Sequence, residues 1–325
     1  MKKLNIFIIG LMVFMVGMIT ACKKNKDNTT TTATSKPNDQ QGSSAADGVI
    51  DNVNDFINNK IGGGSTKRVA TYNLPCGVVL LDSSTISGGY KVYKMQYGSQ
   101  TPCGYQKKSG QVSFVLINGT AFNSAGATFK LTYTDYVVVS LATGETTTIN
   151  GTLTIKNVNG GYIWEAVTVP STITYQLRGT FSVTYSDGTI RARSYYQLRT
   201  YSNTSTAGDW KGLTLSIGGD TLTNVYEIGK TYDGNYDYQT ELITNFKWSN
   251  CGTTYAGPYI LKAAHARMNL TIPLVTPAYI DIEGGYYWNY SNVQATPTLV
   301  NDCTTDAYKI TTVVSTATTS VYQLY

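Results

Sequence analysis

From residue 69 to residue 325, apolar and polar side chains alternate with a period of two almost throughout. The clearest run is Ile173, Tyr175, Leu177, Gly179, Phe181, Val183 and Tyr185, with Thr174, Gln176, Arg178, Thr180, Ser182 and Thr184 between them. Such alternation places one set on a buried face and the other toward solvent, as in a half-buried strand. Ser186-Asp187-Gly188-Thr189 follows. An Asp-Gly pair supplies the positive φ of a tight hairpin turn, so Ile190–Tyr201 is predicted to return antiparallel. Further strands are predicted at Val112–Leu116, Thr128–Tyr133, Thr146–Lys156, Leu213–Ile217, Asn224–Gly229, Tyr236–Phe246, Met268–Ile272 and Tyr308–Ser315. Gly160-Gly161, Asp233-Gly234 and Gly284-Gly285 predict turns. Ile-Asn-Gly-Thr occurs at 117–120 and again at 149–152, which predicts similar hairpin units in series. The expected fold is all-β: an elongated antiparallel β-meander over 69–325, forming a large twisted sheet or a sandwich.

Upstream the pattern changes. Val49, Ile50, Val53, Phe56, Ile57 and Ile61 fall on one helical stripe behind Asp47, a good N-cap. Residues 49–68 therefore read as a short helix and linker. Residues 23–48 hold almost nothing apolar, cannot offset their ordering entropy by burial, and read as a disordered tether. At the start, Lys2 and Lys3 precede the uncharged, mostly apolar run Leu4–Thr20, and Ile19-Thr20-Ala21-Cys22 supplies small residues ending in Cys. Residues 1–22 thus read as an export signal. Ile19–Cys22 resembles the lipobox of bacterial lipoproteins, which implies that Cys22 carries acyl chains such as palmitate. Two or three chains anchor durably where one does not. The competing reading is a plain membrane-anchor helix, since the apolar run approaches the ~20 residues that span a bilayer.

Of five cysteines, lipidation of Cys22 leaves Cys76, Cys103, Cys251 and Cys303. An even number in an exported chain suggests disulfides, and of three pairings the nearest-neighbour one, 76–103 with 251–303, is expected. No Cys-x(2–4)-Cys spacing exists and there is one His, so no metal site is expected.

Composition reinforces the strand reading: 26 Tyr, with abundant Thr and Val, favours sheet. The formal charge of +5 falls to +3 once Lys2 and Lys3 leave, too balanced for a nucleic-acid binder. No phosphate-binding Gly loop, His-Glu-x-x-His helix or Gly-x-Ser-x-Gly elbow appears, and no cofactor is expected. A Ser-His-Asp site would have to use His265, a lone His of the kind that is usually a satisfied surface residue. Glu165, Glu227, Glu241 and Glu283 are the candidate carboxylates for glycoside hydrolysis, which needs two acids across one cleft. Arg191, Arg193 and Arg199 share a strand face with Tyr195 and Tyr201, which offers a local anion or glycan surface but is expected to be an exposed face on which Arg stems cover aromatic rings.

Aromatics cluster at Tyr286-Tyr287-Trp288-Asn289-Tyr290 and at Tyr232, Tyr236, Tyr238 and Trp248. Flat rings beside amides suit sugar stacking, so Tyr286, Tyr287, Trp288, Tyr290 and Trp248 are candidate glycan-binding residues. The same rings also serve as cross-strand filler on a half-exposed sheet. Asp220-Thr221-Leu222, after Gly218-Gly219, matches the three-residue O-glycosylation pattern of Bacteroidetes-type exported proteins.

With the lipobox, the polar tether, Ile149-Asn150-Gly151-Thr152 ahead of Leu153–Lys156, Val225–Lys230 before Asp233-Gly234, and Trp248–Gly252, the chain resembles uncharacterised Bacteroidetes-type lipoproteins with a tandem β-hairpin body. That resemblance implies an extracytoplasmic β-rich protein and no catalytic residues. The expected function is a non-enzymatic binding or structural protein, lipid-anchored in the outer membrane and facing the periplasm or the cell surface. Its expected partners are the membrane and a glycan or envelope protein. The alternatives are a glycan-binding accessory lipoprotein, a hydrolase, and a membrane-spanning barrel suggested by Tyr322-Gln323-Leu324-Tyr325.

Overall fold

The structure is a computed structural model that describes residues 76–98, 102–103, 106–141, 143–163, 165–168, 172–203, 206–209, 212–231, 235–251, 259–287, 298–299 and 307–324. The expected export signal, tether and short helix (1–68) fall outside these residues, as do Asp233-Gly234, Trp288, Tyr290 and Cys303.

Seventeen strands follow one another among the described residues. The first seven are β1 (Val78–Asp82), β2 (Ile86–Ser87), β3 (Tyr90–Tyr97), β4 (Pro102–Cys103), β5 (Gln106–Asn118), β6 (Thr128–Ser140) and β7 (Thr146–Asn157). A single helical turn, α1 (Glu165–Thr168), precedes β8 (Ile173–Tyr185), β9 (Ile190–Asn203), β10 (Leu213–Gly218), β11 (Val225–Lys230) and β12 (Asp237–Asn250). The chain ends with β13 (Tyr259–Thr271), β14 (Ala278–Tyr287), β15 (Thr298–Leu299), β16 (Ala307–Val314) and β17 (Ala317–Leu324).

Every pairing is antiparallel, and the main order is that of the sequence: β1, β3, β5, β6, β7, β8 and β9, then β12, β13, β14, β16 and β17. Between β9 and β12 lies one row made of two strands end to end. β10 pairs with Leu198–Asn203 of β9, and β11 pairs with Arg193–Tyr195 of the same strand. The two predicted strands at 213–217 and 224–229 are thus halves of one interrupted strand.

The expected all-β meander is the architecture observed. Ser186–Thr189 closes the β8–β9 hairpin, with Gly188 at φ 83° and Tyr185 N–H donating to Thr189 O at 2.9 Å. Two expectations fail. Gly284-Gly285 is not a turn but lies inside β14, where the register slips between Gly284 and Tyr286. The second glycine's positive φ (94°) serves a bulge, not a reversal. The Ile-Asn-Gly-Thr segments also fail to mark equivalent positions: 117–120 leaves the end of β5, whereas 149–152 sits mid-strand in β7. There Gly151 allows a close approach to β8, for a Cβ would lie 2.5 Å from Phe181 Cα.

One face of the sheet is dry. Phe114, Phe129, Leu131, Ile149, Leu153, Ile155, Leu177 and Val183 on β5–β8 have no exposed surface and belong to one cluster reaching from Val78 to Leu213. A second, smaller cluster holds Tyr238, Leu270, Ala278, Ile280, Tyr308 and Ile310 on β12–β16. Cys76, just ahead of β1, is bonded to Cys103 on β4 with Cα atoms 5.7 Å apart, as expected. Cys251 is also disulfide-bonded, and the Cys303 half of the expected 251–303 pair lies outside the described residues.

Candidate functional site

Two constellations of charged side chains stand out, one on each face of the sheet. The first arises because β9 places Arg193, Gln197 and Arg199 in phase with its apolar residues Tyr195 and Tyr201. The register sets Phe181 beside Arg193 and Tyr175 beside Arg199, so this phase faces the core. Arg193 is 2% exposed and Arg199 1%. The expectation of an exposed arginine face is therefore overturned for these two: the shared face is right, its orientation is not.

Burying a guanidinium is costly unless charge and hydrogen bonds compensate. Glu227 of β11 provides the charge, its Oε1 accepting from Arg193 Nη1 at 2.6 Å. Arg193 Nη2 donates to Tyr185 Oη at 2.9 Å, and Nη1 also donates to Tyr238 Oη. Tyr238 Oη in turn donates to Glu227 Oε1. The cluster bridges the two halves of the molecule, for Tyr185 belongs to the larger apolar cluster and Tyr238 to the smaller. Arg199 lies further along, donating from Nε (3.1 Å) and Nη2 (3.0 Å) to Gln197 Oε1.

The second constellation covers the opposite face of β13, β14, β16 and β17. Arg267 meets Asp281 in register and binds it through two bonds of 2.7 Å, Nε to Oδ1 and Nη2 to Oδ2. The guanidinium carbon stands 4.0 Å from the Tyr279 ring centroid, a close cation–π contact. His265 Nε2 lies 3.6 Å from Asp281 Oδ2, and that buried nitrogen makes no hydrogen bond. One rung along, Glu283 pairs with Lys309 at 3.4 Å. Burial alone would lower the Lys309 ammonium, but the Glu283 charge and hydrogen bond outweigh it and hold the group above its usual range. Tyr286 packs edge-on against Tyr322 at 5.4 Å and 74°, and burial, then Glu283, pushes its hydroxyl upward.

The candidate glycan residues do not converge among the described residues. Tyr286 joins the outer-face ladder and Tyr287 follows it at the end of β14. Both are half-buried, and Trp248 sits half-buried on β12 beside Leu215 and Leu261. Of the candidate carboxylates, Glu241 and Glu283 border the outer ladder, in register with Arg267 and His265, whereas Glu165 accepts from Tyr162 N–H (3.0 Å) and Glu227 holds Arg193 in the core. Asp220 accepts from Leu222 N–H and from Arg178, on an interruption loop where Leu222 is 93% exposed.

Tyr279, Asp281, Lys309 and Tyr322 were not apparent as a group in the sequence. The signal was the polar phase of two adjoining strands, His265-x-Arg267 and Tyr279-x-Asp281-x-Glu283, hidden because Gly284-Gly285 read as a turn. Comparison with protein-family models, curated proteins and solved structures finds no match.

Proposed function

We propose that this chain is a non-enzymatic, lipid-anchored protein of the outer membrane that binds through the polar face of β13, β14, β16 and β17. The lipobox-like Ile19–Cys22 and the polar stretch 23–48 support the anchor. One observation carries the binding surface. These strands hold an apolar cluster on one face while His265, Arg267, Asp281, Glu283 and Lys309 share the other with Tyr279, Tyr286 and Tyr322. The cross-strand pairs fix the side chains in advance, so little further ordering entropy is lost when a ligand binds.

A second reading, a glycan-binding accessory lipoprotein, draws on the Tyr286–Tyr322 pair flanked by Glu283 and Lys309. Ring faces would stack on sugar C–H groups and the charged neighbours would meet hydroxyls. Affinity electrophoresis against a panel of polysaccharides tests it, with retardation weakened about tenfold, the ~1.4 kcal/mol step, by Tyr286→Ala. Absence of retardation on every polymer removes the glycan. Acyl labelling abolished by Cys22→Ala supports the anchor, and labelling that persists removes it.

A further inference from the structure

Because the meander alternates direction, β6, β8, β11, β13 and β16 all finish at one end of the sheet, and their turns to β7, β9, β12, β14 and β17 form a rim there. At three of these turns an apolar side chain is exposed where turns are ordinarily polar. Leu141 in the β6–β7 turn is 46% exposed, Ile190 at the β8–β9 turn 60%, and Leu274 in the β13–β14 turn 106%. Leu274 is held outward at φ 63°, inside Ile272-Pro273-Leu274-Val275. The chain enters the sheet at the same end: Gly77 leads into β1, whose Val78 pairs with Tyr97 at the close of β3. Val79 and Leu80, the next residues of β1, are 58% and 59% exposed.

We infer that this rim rests on the lipid surface, with Leu141, Ile190 and Leu274 dipping into the bilayer interface. The inference builds on the anchor reading above. The occupant is fixed by where the chain arrives. An unstructured chain of 53 residues, the number between Cys22 and Cys76, has an r.m.s. reach of roughly 40 Å, close to the about 43 Å of a strand of the length of β8. The entry end is therefore the end delivered to the anchoring membrane, and the opposite end stands a strand's length farther from the point of attachment. That opposite end also exposes Ile86, Ile117 and Val158 (72%, 49% and 43%), so exposure alone does not select the rim; the point of entry does. Charge is mixed along the rim, where Lys107, Lys108, Arg191 and Lys230 neighbour Glu145, Asp187 and Asp237. The attraction is accordingly apolar and independent of anionic lipid.

The test uses the full chain reconstituted in phosphatidylcholine vesicles, with Leu141→Trp, Ile190→Trp and Leu274→Trp made singly and Ile86→Trp as the far-end control. Brominated acyl chains should quench each rim tryptophan at least about twofold more than the Ile86→Trp probe, with a blue-shifted emission. Equal quenching at both ends, or rim quenching that appears only after phosphatidylglycerol is added, overturns the inference. The acyl mass on Cys22 is read from the same sample. An acylated chain without rim quenching removes the rim and keeps the anchor, whereas rim quenching in an unacylated chain keeps the rim and removes the anchor.

Discussion

The strands β3–β9 and the strands β12–β17 follow one alternating pattern, yet they spend their two faces differently. In the first region the buried face is close-packed: Phe122 meets Phe114 and Phe129 edge-on at 5.9 and 5.5 Å, and Phe181 meets Tyr195 at 4.9 Å. Its other face is largely Thr, Ser, Lys and Gln, with hydroxyl pairs such as Thr180–Ser194 at 2.8 Å. In the second region the buried face is thinner and includes alanines, Ala278 among them. Its polar face instead carries salt bridges and aromatic rings. Alternation sets which residues share a face; the size of the apolar partners decides which region supplies more of the stability.

The largest effects should come from the first region. Leu153→Ala on β7, with no exposed surface, is expected to cost about 3–5 kcal/mol, and Ile280→Ala on β14 about 2 kcal/mol, because a thin cluster leaves a smaller, more collapsible cavity. Urea midpoints for the two variants read the difference; equal losses would show that the two cores are alike. Next comes the bridge between the regions. Glu227→Gln should cost roughly 3 kcal/mol by leaving the Arg193 charge buried without its counter-ion. The double change Glu227→Gln with Arg193→Met should recover much of it. A double variant no more stable than the single one would mean that the hydrogen bonds to Tyr185 and Tyr238, not the charge, dominate.

The polar face of the second region should yield less. Asp281→Asn loses the charge that Arg267 holds with two bonds, yet Arg267 is 33% exposed, so water screens the loss to about 1 kcal/mol. The same change should weaken ligand retention more than it lowers the melting temperature. A fall in stability with unchanged binding would reassign the ladder to structure alone.

How much of this was legible depended on which residues were allowed to interrupt a pattern. Ile173–Tyr185 and Ile190–Tyr201 are nearly the strands observed, because side-chain period and an Asp-Gly turn agreed. β5 begins at Gln106, well before the predicted Val112, since Gln106–Gln111 has no apolar alternation and gains its strand form from pairing with β6. A bulge mediates that pairing: Asp135 sits at φ 45°, with its N–H donated to Asn150 Oδ1 at 2.8 Å. Gly110 must stand opposite, as any Cβ would lie 1.8 Å from Asp135 O. Long-range pairing of this kind leaves no periodic trace. The buried cluster was hidden for a different reason: Arg193 occupies an apolar-phase position, and only the partner strand supplying Glu227 reveals that it can be buried there. The outer ladder required β14, which the Gly-Gly pair disguised.

The smallest effect sharpens the comparison from within the first region. Lys108 on β5 faces Val138, a buried residue of β6, and burial lowers the ammonium below its usual range. The folded state therefore disfavours the charged form. The resulting penalty is full below the folded value and is relieved as pH rises toward the unfolded lysine value of about 10.4. Lys108→Met should accordingly raise the melting temperature at pH 7, by less than any loss above costs. The gain should shrink steadily as pH climbs past the folded value toward about 10.4. A gain that stays constant with pH would assign it to packing of the methionine against Val138. No gain at any pH would mean that the lysine stem already supplies that packing and its head group stays in water.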